Sequence, residues 1–260
     1  MLVSILIPVY NEFKTLPQVL ERVANAKLPE GCTKEILIID DGSVDGTTQL
    51  IGKMADRVKE PDVLVVHHSV VNFGKGAAVR VGIAKAKGEI MLIQDGDLEY
   101  DPNDYLAILQ PIVDGKADVV YGSRFMSNPA GMAFANWVAN RILTVSCNVL
   151  FGARITDEAT AYKAFRTSVL QRIKLVCMRF EFCPEVTAKV LRMGYGISEV
   201  PIYYNARSIA EGKKIRWYDG VDAIWTLLRY RLASRNSFDA QAIERRRRVH
   251  HAEAATDQTS

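Results

Sequence analysis

The sequence predicts an α/β protein built on one mostly parallel sheet with helices on both faces, folded as a single domain. Three observations carry that expectation. Short apolar runs alternate with stretches of helical spacing. Most of the early runs end in turns rich in Asp, Asn and Gly. A chain of 260 residues, 48% hydrophobic and 24% charged, is long enough for one generous core.

Val3-Ser4-Ile5-Leu6-Ile7 reads as a buried strand that stops at Pro8-Val9-Tyr10-Asn11-Glu12, and Leu16, Val19, Leu20 and Val23 follow at helical spacing. Glu35–Ile39 repeats the pattern, ending in Asp40-Asp41-Gly42-Ser43-Val44-Asp45-Gly46-Thr47 before the helical Leu50, Ile51 and Met54. Val63–Val66 is a third strand, and an Ala-rich helix runs from Asn72-Phe73-Gly74-Lys75-Gly76 through Ala84. Ile90–Ile93 is the fourth, stopping at Gln94-Asp95-Gly96-Asp97-Leu98-Glu99. A helix near Tyr105–Val113 then leads to a fifth strand within Asp118–Arg124.

Right-handed crossovers place the loops after these strands on one edge of the sheet. That edge collects Tyr10, Glu12, Asp40, Asp41, Gly74, Lys75, Asp95, Asp97 and Arg124. So polar a set between apolar strands points to a site for something anionic and metal-linked. Asp95 and Asp97 on alternate residues, with Glu99 one step further, suit a hard divalent cation that keeps positions open for diphosphate oxygens. Taken alone, the same residues also suit a turn followed by a helix cap at Asp101-Pro102.

The second half changes character. Phe134, Trp137, Val138, Ile142, Leu143 and Val149 mark a helix over residues 134–151, interrupted by Arg141, and residues 156–166 read as a loop entering a strand. Glu185–Leu191 is helical, Ile197–Pro201 is a strand, residues 205–216 form a polar loop, and Trp217–Arg235 is the last helix. Its Trp217, Tyr218, Val221, Ile224, Trp225, Leu228 and Leu232 recur near helical spacing. Residues 205–235 carry seven Lys/Arg against three Asp/Glu. Such a helix can lie in a membrane interface, or pack on its own sheet or on a second copy of the chain, so a homo-oligomer stays open. Periodicity ends after Asn236, and residues 236–260 are expected to be a disordered tail. Its Arg245–Arg248 run is either solvated or a contact with anionic lipid.

Several classes are disfavoured. A net charge of +3 does not imply nucleic acid. No run approaches the ~20 apolar residues of a membrane span, and residues 1–9 read as a strand without a basic leader, so a cytoplasmic protein is expected. Cys32, Cys147, Cys177 and Cys183 lack paired CxxC spacing and read as reduced and structural. The first strand lacks GxGxxG, and Gly74-Lys75-Gly76-Ala77 is not a phosphate loop of the GxxxxGK[ST] type.

Pro8-Val9-Tyr10-Asn11-Glu12, the Asp40–Thr47 segment, Asn72-x-Gly74-Lys75-Gly76, Asp95-Gly96-Asp97 and Gly122-Ser123-Arg124 occur in the order seen in glycosyltransferase family 2. Within it, residues 1–235 resemble the dolichol-phosphate mannose synthase group and its bacterial polyprenyl-phosphate relatives. The resemblance implies a GT-A fold, with residues 1–125 as the nucleotide-sugar and metal half and 126–235 as the acceptor half. It also implies a GDP- or UDP-sugar donor, Mg²⁺ or Mn²⁺, inversion at the anomeric carbon, and transfer of a hexose, mannose or glucose, to polyprenyl phosphate at the cytoplasmic face of a membrane. Carried over by position, Pro8, Tyr10 and Glu12 line the base and ribose pocket, with Ile39 and Asp41 on its other wall. Asp95, Asp97 and Glu99 hold the metal, with Gly96 between the aspartates and Lys75 on the same edge. Arg124 faces the phosphates and the incoming acceptor. Arg141, with Thr144 or Ser146, resembles the acceptor-phosphate contacts, and Arg207 and Lys213 (or Lys214) match the basic loop that closes over the donor diphosphate. Asp157 falls in a segment where many relatives have Gly before the aromatic; this chain has Ala161-Tyr162. A lipid phosphate is already an anion and needs no general base; a soluble hydroxyl acceptor would need one, with Asp157 or Glu158 as candidates.

Overall fold

The computed structural model describes residues 1–55, 63–127, 131–207 and 217–245. Its centre is a seven-stranded sheet in the order β3-β2-β1-β4-β6-β5-β7. The strands are β1 (Leu2–Val9), β2 (Thr33–Asp40), β3 (Val63–His68), β4 (Ile90–Ile93), β5 (Val119–Ser123), β6 (Lys163–Arg166) and β7 (Ser198–Pro201). All are parallel except β6, which runs antiparallel to both β4 and β5. The expected strands are all present: β1 and β2 extend three residues beyond their apolar runs and β3 two, β4 matches its run, β5 falls within its expected segment, and β7 is one residue shorter.

The helices around the sheet are α1 (Leu16–Asn25), α2 (Thr47–Ala55), α3 (Lys75–Lys85), α4 (Tyr105–Val113), α5 (Phe134–Phe151), α6 (Thr167–Arg172), α7 (Phe182–Arg192) and α8 (Trp217–Leu232). Among them only α6 is without a sequence expectation, because six residues are too few to show a period. The alternation of side chains along each strand divides the core into two layers. Leu6, Leu37, Ile39, Met91, Ile93, Tyr121 and Phe165 pack with residues of α3, α7 and α8. Ile5, Ile7, Ile36, Ile38, Leu92 and Val120 pack with residues of α1 and α4. A strand covered on both faces has no polar face to show, which is why these runs are continuously apolar. Each large side chain removed from water this way stabilises the fold by about 1.5–3 kcal/mol.

The strand order fixes where a ligand can bind. From β1 the sheet extends one way to β2 and β3 and the other way to β4, so the loops leaving β1 and β4 diverge over one crevice at their carboxyl ends. Gly96 lies against the end of β1: a Cβ there would stand 3.3 Å from the Pro8 carbonyl oxygen and 3.4 Å from Val9 Cγ2.

The expected tail is corrected at its start. Residues beyond Asn236 still pack: Phe238 is buried against Tyr230, its carbonyl accepts the Lys174 N–H at 2.8 Å, and Asp239 forms a β-bridge with Ile173. Burial of one aromatic outweighs the loss of periodicity that marked this boundary. Residues 246–260, including Arg246–Arg248, lie outside the described residues, as do Lys213 and Lys214.

Candidate active site

The first wall of the crevice comes from the loops after β1 and β2, which are stapled together. Asn11 takes a left-handed conformation (φ 53°), accepts the Val44 N–H at 2.9 Å on its side chain, and donates its own N–H to Ser43 Oγ at 2.9 Å. Glu12 N–H donates to Thr47 Oγ1, and Phe13 N–H to Asp45, both at 3.1 Å. Asp40 is fully buried and accepts from Ser43 N–H, Thr48 Oγ1 and His68 Nδ1. Much of the Asp40–Thr47 motif is therefore architecture. Asp41 spends its two carboxylate oxygens on the Phe73 and Gly74 N–H groups, at 2.9 and 2.6 Å, and so fixes the loop before α3.

The crevice floor is acidic. Asp97 is buried; burial first, and the charges of Asp95 and Glu99 next, push its carboxyl up to about 7 against the pull of Arg207. Two cations answer this cluster. Lys75 ion-pairs with Asp95, and although burial works against its charge, Asp95 and Asp97 hold it above its ordinary range. Arg207 reaches three carboxylates: Asp97 at 2.5 Å, Glu12 at 3.5 Å and Glu99 at 3.6 Å, and its own N–H donates to Glu99 at 2.9 Å. The 205–207 segment is thus drawn over the carboxylates, with Asn205 N–H donating to the Glu99 carbonyl.

A second cationic group stands beyond β4. Arg124 is buried and makes a two-pronged pair with Asp157, Nε and Nη2 each at 2.7 Å, while its backbone N–H donates to the same carboxylate at 3.0 Å. Its guanidinium lies 5.1 Å from the Tyr204 ring centroid. Arg141 on α5 donates to the Thr156 carbonyl at 3.3 Å and lies over the Phe125 ring. Thr144 is buried and accepts the Glu158 N–H. Beneath the floor, the Gln94 side-chain oxygen Oε1 accepts from the Tyr105 and Tyr162 hydroxyls at 2.9 and 2.7 Å, and its amide nitrogen donates to the Asp95 carbonyl at 3.0 Å, fixing the turn that carries Asp95.

The structure brings Glu12, Lys75, Asp95, Gly96, Asp97, Glu99 and Arg207 to one edge, with Pro8 and Tyr10 partly exposed beside them. Three sequence assignments change. Ile39 is 1% exposed and packs in the α3 layer, because odd-numbered residues of β2 face that side, so it is core and not pocket wall. Asp157 is completely buried with both oxygens on Arg124, which removes it as a general base. Among the described residues no three Asp, Glu, His or Cys side chains come together to hold a metal, because Arg207 draws Glu99 to itself. Asp95 and Asp97 do fit an open cation site: the buried Asp97 is crowded by like charge, and an open site takes its remaining ligands from a bound diphosphate.

Glu199 and Gln94 escape sequence reasoning, since a lone Glu in a short strand and a Gln in an acidic turn carry no spacing signal. Thr47, Asp45 and Asn11 were visible as motif letters, but their cross-loop contacts were not.

α5 and α8 pack side by side, and each keeps an apolar row in solvent. On α5 it runs through Phe134, Trp137, Ile142, Val145 and Val149; on α8 through Tyr218, Val221, Trp225, Leu228 and Leu232. Trp225 is 66% exposed and Leu232 87%. Among the described residues no helix is long and apolar enough to cross a membrane.

A family model described as "Glycosyl transferase family 2" matches residues 4–174. The chain is 33% identical over 221 residues to polyprenol monophosphomannose synthase of Mycolicibacterium smegmatis, covering 80% of this chain and 79% of that protein. It is 30% identical over 248 residues to undecaprenyl-phosphate mannosyltransferase of Micrococcus luteus, covering 90% and 96%. Among solved structures, glucosyl-3-phosphoglycerate synthase of Mycobacterium tuberculosis bound to uridine diphosphate superposes with a TM-score of 0.68 at 18% identity, covering 88% of this chain and 79% of that one. At that identity the likeness is one of fold.

Proposed function

The chain belongs to glycosyltransferase family 2, and from that premise we propose that it is an inverting, metal-dependent hexosyltransferase that moves mannose or glucose from a GDP- or UDP-sugar to polyprenyl phosphate. Residues 1–125 serve the donor and residues 126–235 the acceptor, and the enzyme works as a peripheral protein at the cytoplasmic face of a membrane. Two relatives named for polyprenol and undecaprenyl-phosphate mannose transfer support the acceptor class. Structures of glucosyl-3-phosphoglycerate synthase with Mn²⁺ and UDP-glucose, or with Mg²⁺ and UDP, support the metal and donor class.

The observation that carries the reading is the state of the two candidate bases. Asp157 is committed to Arg124, and Glu158 is completely buried beside Lys163 and Thr187, with burial pushing its carboxyl up. Neither is placed to deprotonate an incoming hydroxyl. An acceptor that arrives ionised needs no such group, and two arginines can position its phosphate.

In this reading an acceptor phosphate oxygen attacks the anomeric carbon, the carbon–oxygen bond to the nucleotide breaks, and the departing nucleoside diphosphate keeps the electron pair. Asp95 and Asp97 would hold Mg²⁺ or Mn²⁺, which when bound would supply positive charge to the leaving diphosphate. Pro8, Tyr10, Glu12 and Asp41 frame the nucleoside side. Arg207, with Lys213 following it in sequence, faces the donor phosphates, and Lys75 keeps Asp95 oriented through their ion pair. Arg124 and Arg141 present the acceptor phosphate.

The deciding experiment measures turnover of GDP- and UDP-sugars with Mg²⁺ or Mn²⁺, with and without a short polyprenyl phosphate in detergent. Glycolipid formed only with the lipid phosphate is the expected result. Donor hydrolysis at equal rates in both samples would reject the acceptor and redirect the search to soluble acceptors. Asp97→Ala should lower kcat by a factor of at least ~10² with the fold intact by circular dichroism; near-normal turnover would remove Asp97 from the donor site.

A further inference from the structure

Glu199 sits on β7, paired in register with Tyr121 of β5, and its side chain reaches under the loop between α5 and β6. Its carboxylate accepts two consecutive backbone donors: Thr156 N–H at 2.6 Å on Oε2 and Asp157 N–H at 3.0 Å on Oε1. Residues 152–162 are irregular, so these donors have no ladder to join, and a part-buried N–H without a partner is costly.

The dipeptide held in this way meets both arginines. Thr156 offers its carbonyl to Arg141 Nη1 at 3.3 Å, and its hydroxyl contacts Ser123 Oγ at 2.6 Å. Asp157 takes Arg124 in the two-pronged pair. The two arginines come from different elements, one after β5 and one on α5; Thr156-Asp157 is their shared reference point. The Glu199 side chain thus bonds that dipeptide through its two backbone N–H groups and also contacts the Thr156 hydroxyl.

We infer that Glu199 is a positioning residue for the acceptor phosphate, acting through the Thr156-Asp157 backbone to hold Arg124 and Arg141 at a fixed separation; this rests on the acceptor proposed above. The sign of its effect separates position from charge. Glu199 is an anion near a site meant for an anion, so a purely electrostatic role means that neutralising it strengthens acceptor binding. A positioning role means the reverse, because each lost acceptor frees a backbone donor and loosens the pair of arginines.

The test compares wild-type enzyme with Glu199→Gln, which keeps one carbonyl oxygen to accept, and Glu199→Leu, which keeps none. The readouts are the KM for a short polyprenyl phosphate, the KM for the sugar nucleotide, and kcat. The expected result is an acceptor KM raised on the order of 10-fold in Glu199→Leu and about 3-fold in Glu199→Gln, with donor KM and kcat within about 2-fold of wild type. Should Glu199→Leu fail to fold, the Gln variant carries the test alone. An acceptor KM that is unchanged or lower in a variant of a lipid-dependent enzyme would overturn the inference and leave the function standing. Wild-type enzyme with no lipid-phosphate-dependent turnover would overturn both.

Discussion

Asp40 and Asp41 stand side by side at the end of β2, and their surroundings push them in opposite directions. Both are desolvated, which favours the neutral acid. For Asp40 the donors Ser43, Thr48 and His68 outweigh that cost and hold the carboxyl below its ordinary 3.8. For Asp41 the two backbone donors fall short, and the Asp40 charge adds to burial, so its carboxyl lies above 3.8. A depressed carboxyl contributes stability above its unfolded pKa and loses it as pH falls through its folded value. Asp40→Asn should therefore be less stable than wild type at neutral pH, with the gap closing as pH drops below 3.8; urea melts across that range measure it, and a gap constant to pH 3 would contradict the assignment. At Arg124–Asp157, where the pair is fully desolvated, Asp157→Ala should cost about 3–5 kcal/mol because it strands a buried guanidinium. Thermal melts check this, and a loss below 1 kcal/mol would mean the loop relaxes to let water reach the arginine.

At the scale of elements, helix ends and helix faces have been put to specific uses. The amino end of α3 carries a glycine-flanked lysine, yet it is closed: the Arg179 and Met178 carbonyls accept the Gly76 and Ala77 N–H groups at 3.0 Å. Gly74 makes that approach feasible, since at φ +102° its absent Cβ would lie 2.4 Å from the Met178 carbonyl oxygen. The Gly76 and Ala77 N–H groups of this helix terminus are therefore already occupied within the fold. The adjoining apolar rows of α5 and α8 lie on helices that also bear Arg141, Arg229 and Arg231, a combination that suits an interface with anionic headgroups. Trp225→Glu with Leu232→Glu should cut co-sedimentation with phosphatidylglycerol vesicles by a factor of at least ~5 while leaving thermal stability within about 1 kcal/mol, because both side chains are exposed. Unchanged sedimentation would assign the rows to another partner.

At the scale of the whole molecule, the sheet order determines that one crevice exists and which loops enter it. The sequence by itself determined the α/β class, the strand and helix positions, and the gathering of Glu12, Lys75, Asp95, Asp97 and Arg124 on one edge. Those follow from periodicity and from the rule that parallel strands share a carboxyl end, both local or topological properties written along the chain. Pairings between distant segments have no such signature. Ile39 looks like a pocket residue by position and becomes core through strand parity, while Asp157 looks like a free base and becomes the partner of an arginine 33 residues away. Arg207 was legible as a basic-loop residue, but its three carboxylate partners were not, because they are separated from it by up to 195 residues. Only the folded chain could decide these roles, since burial and the identity of the nearest opposite charge are set by tertiary packing.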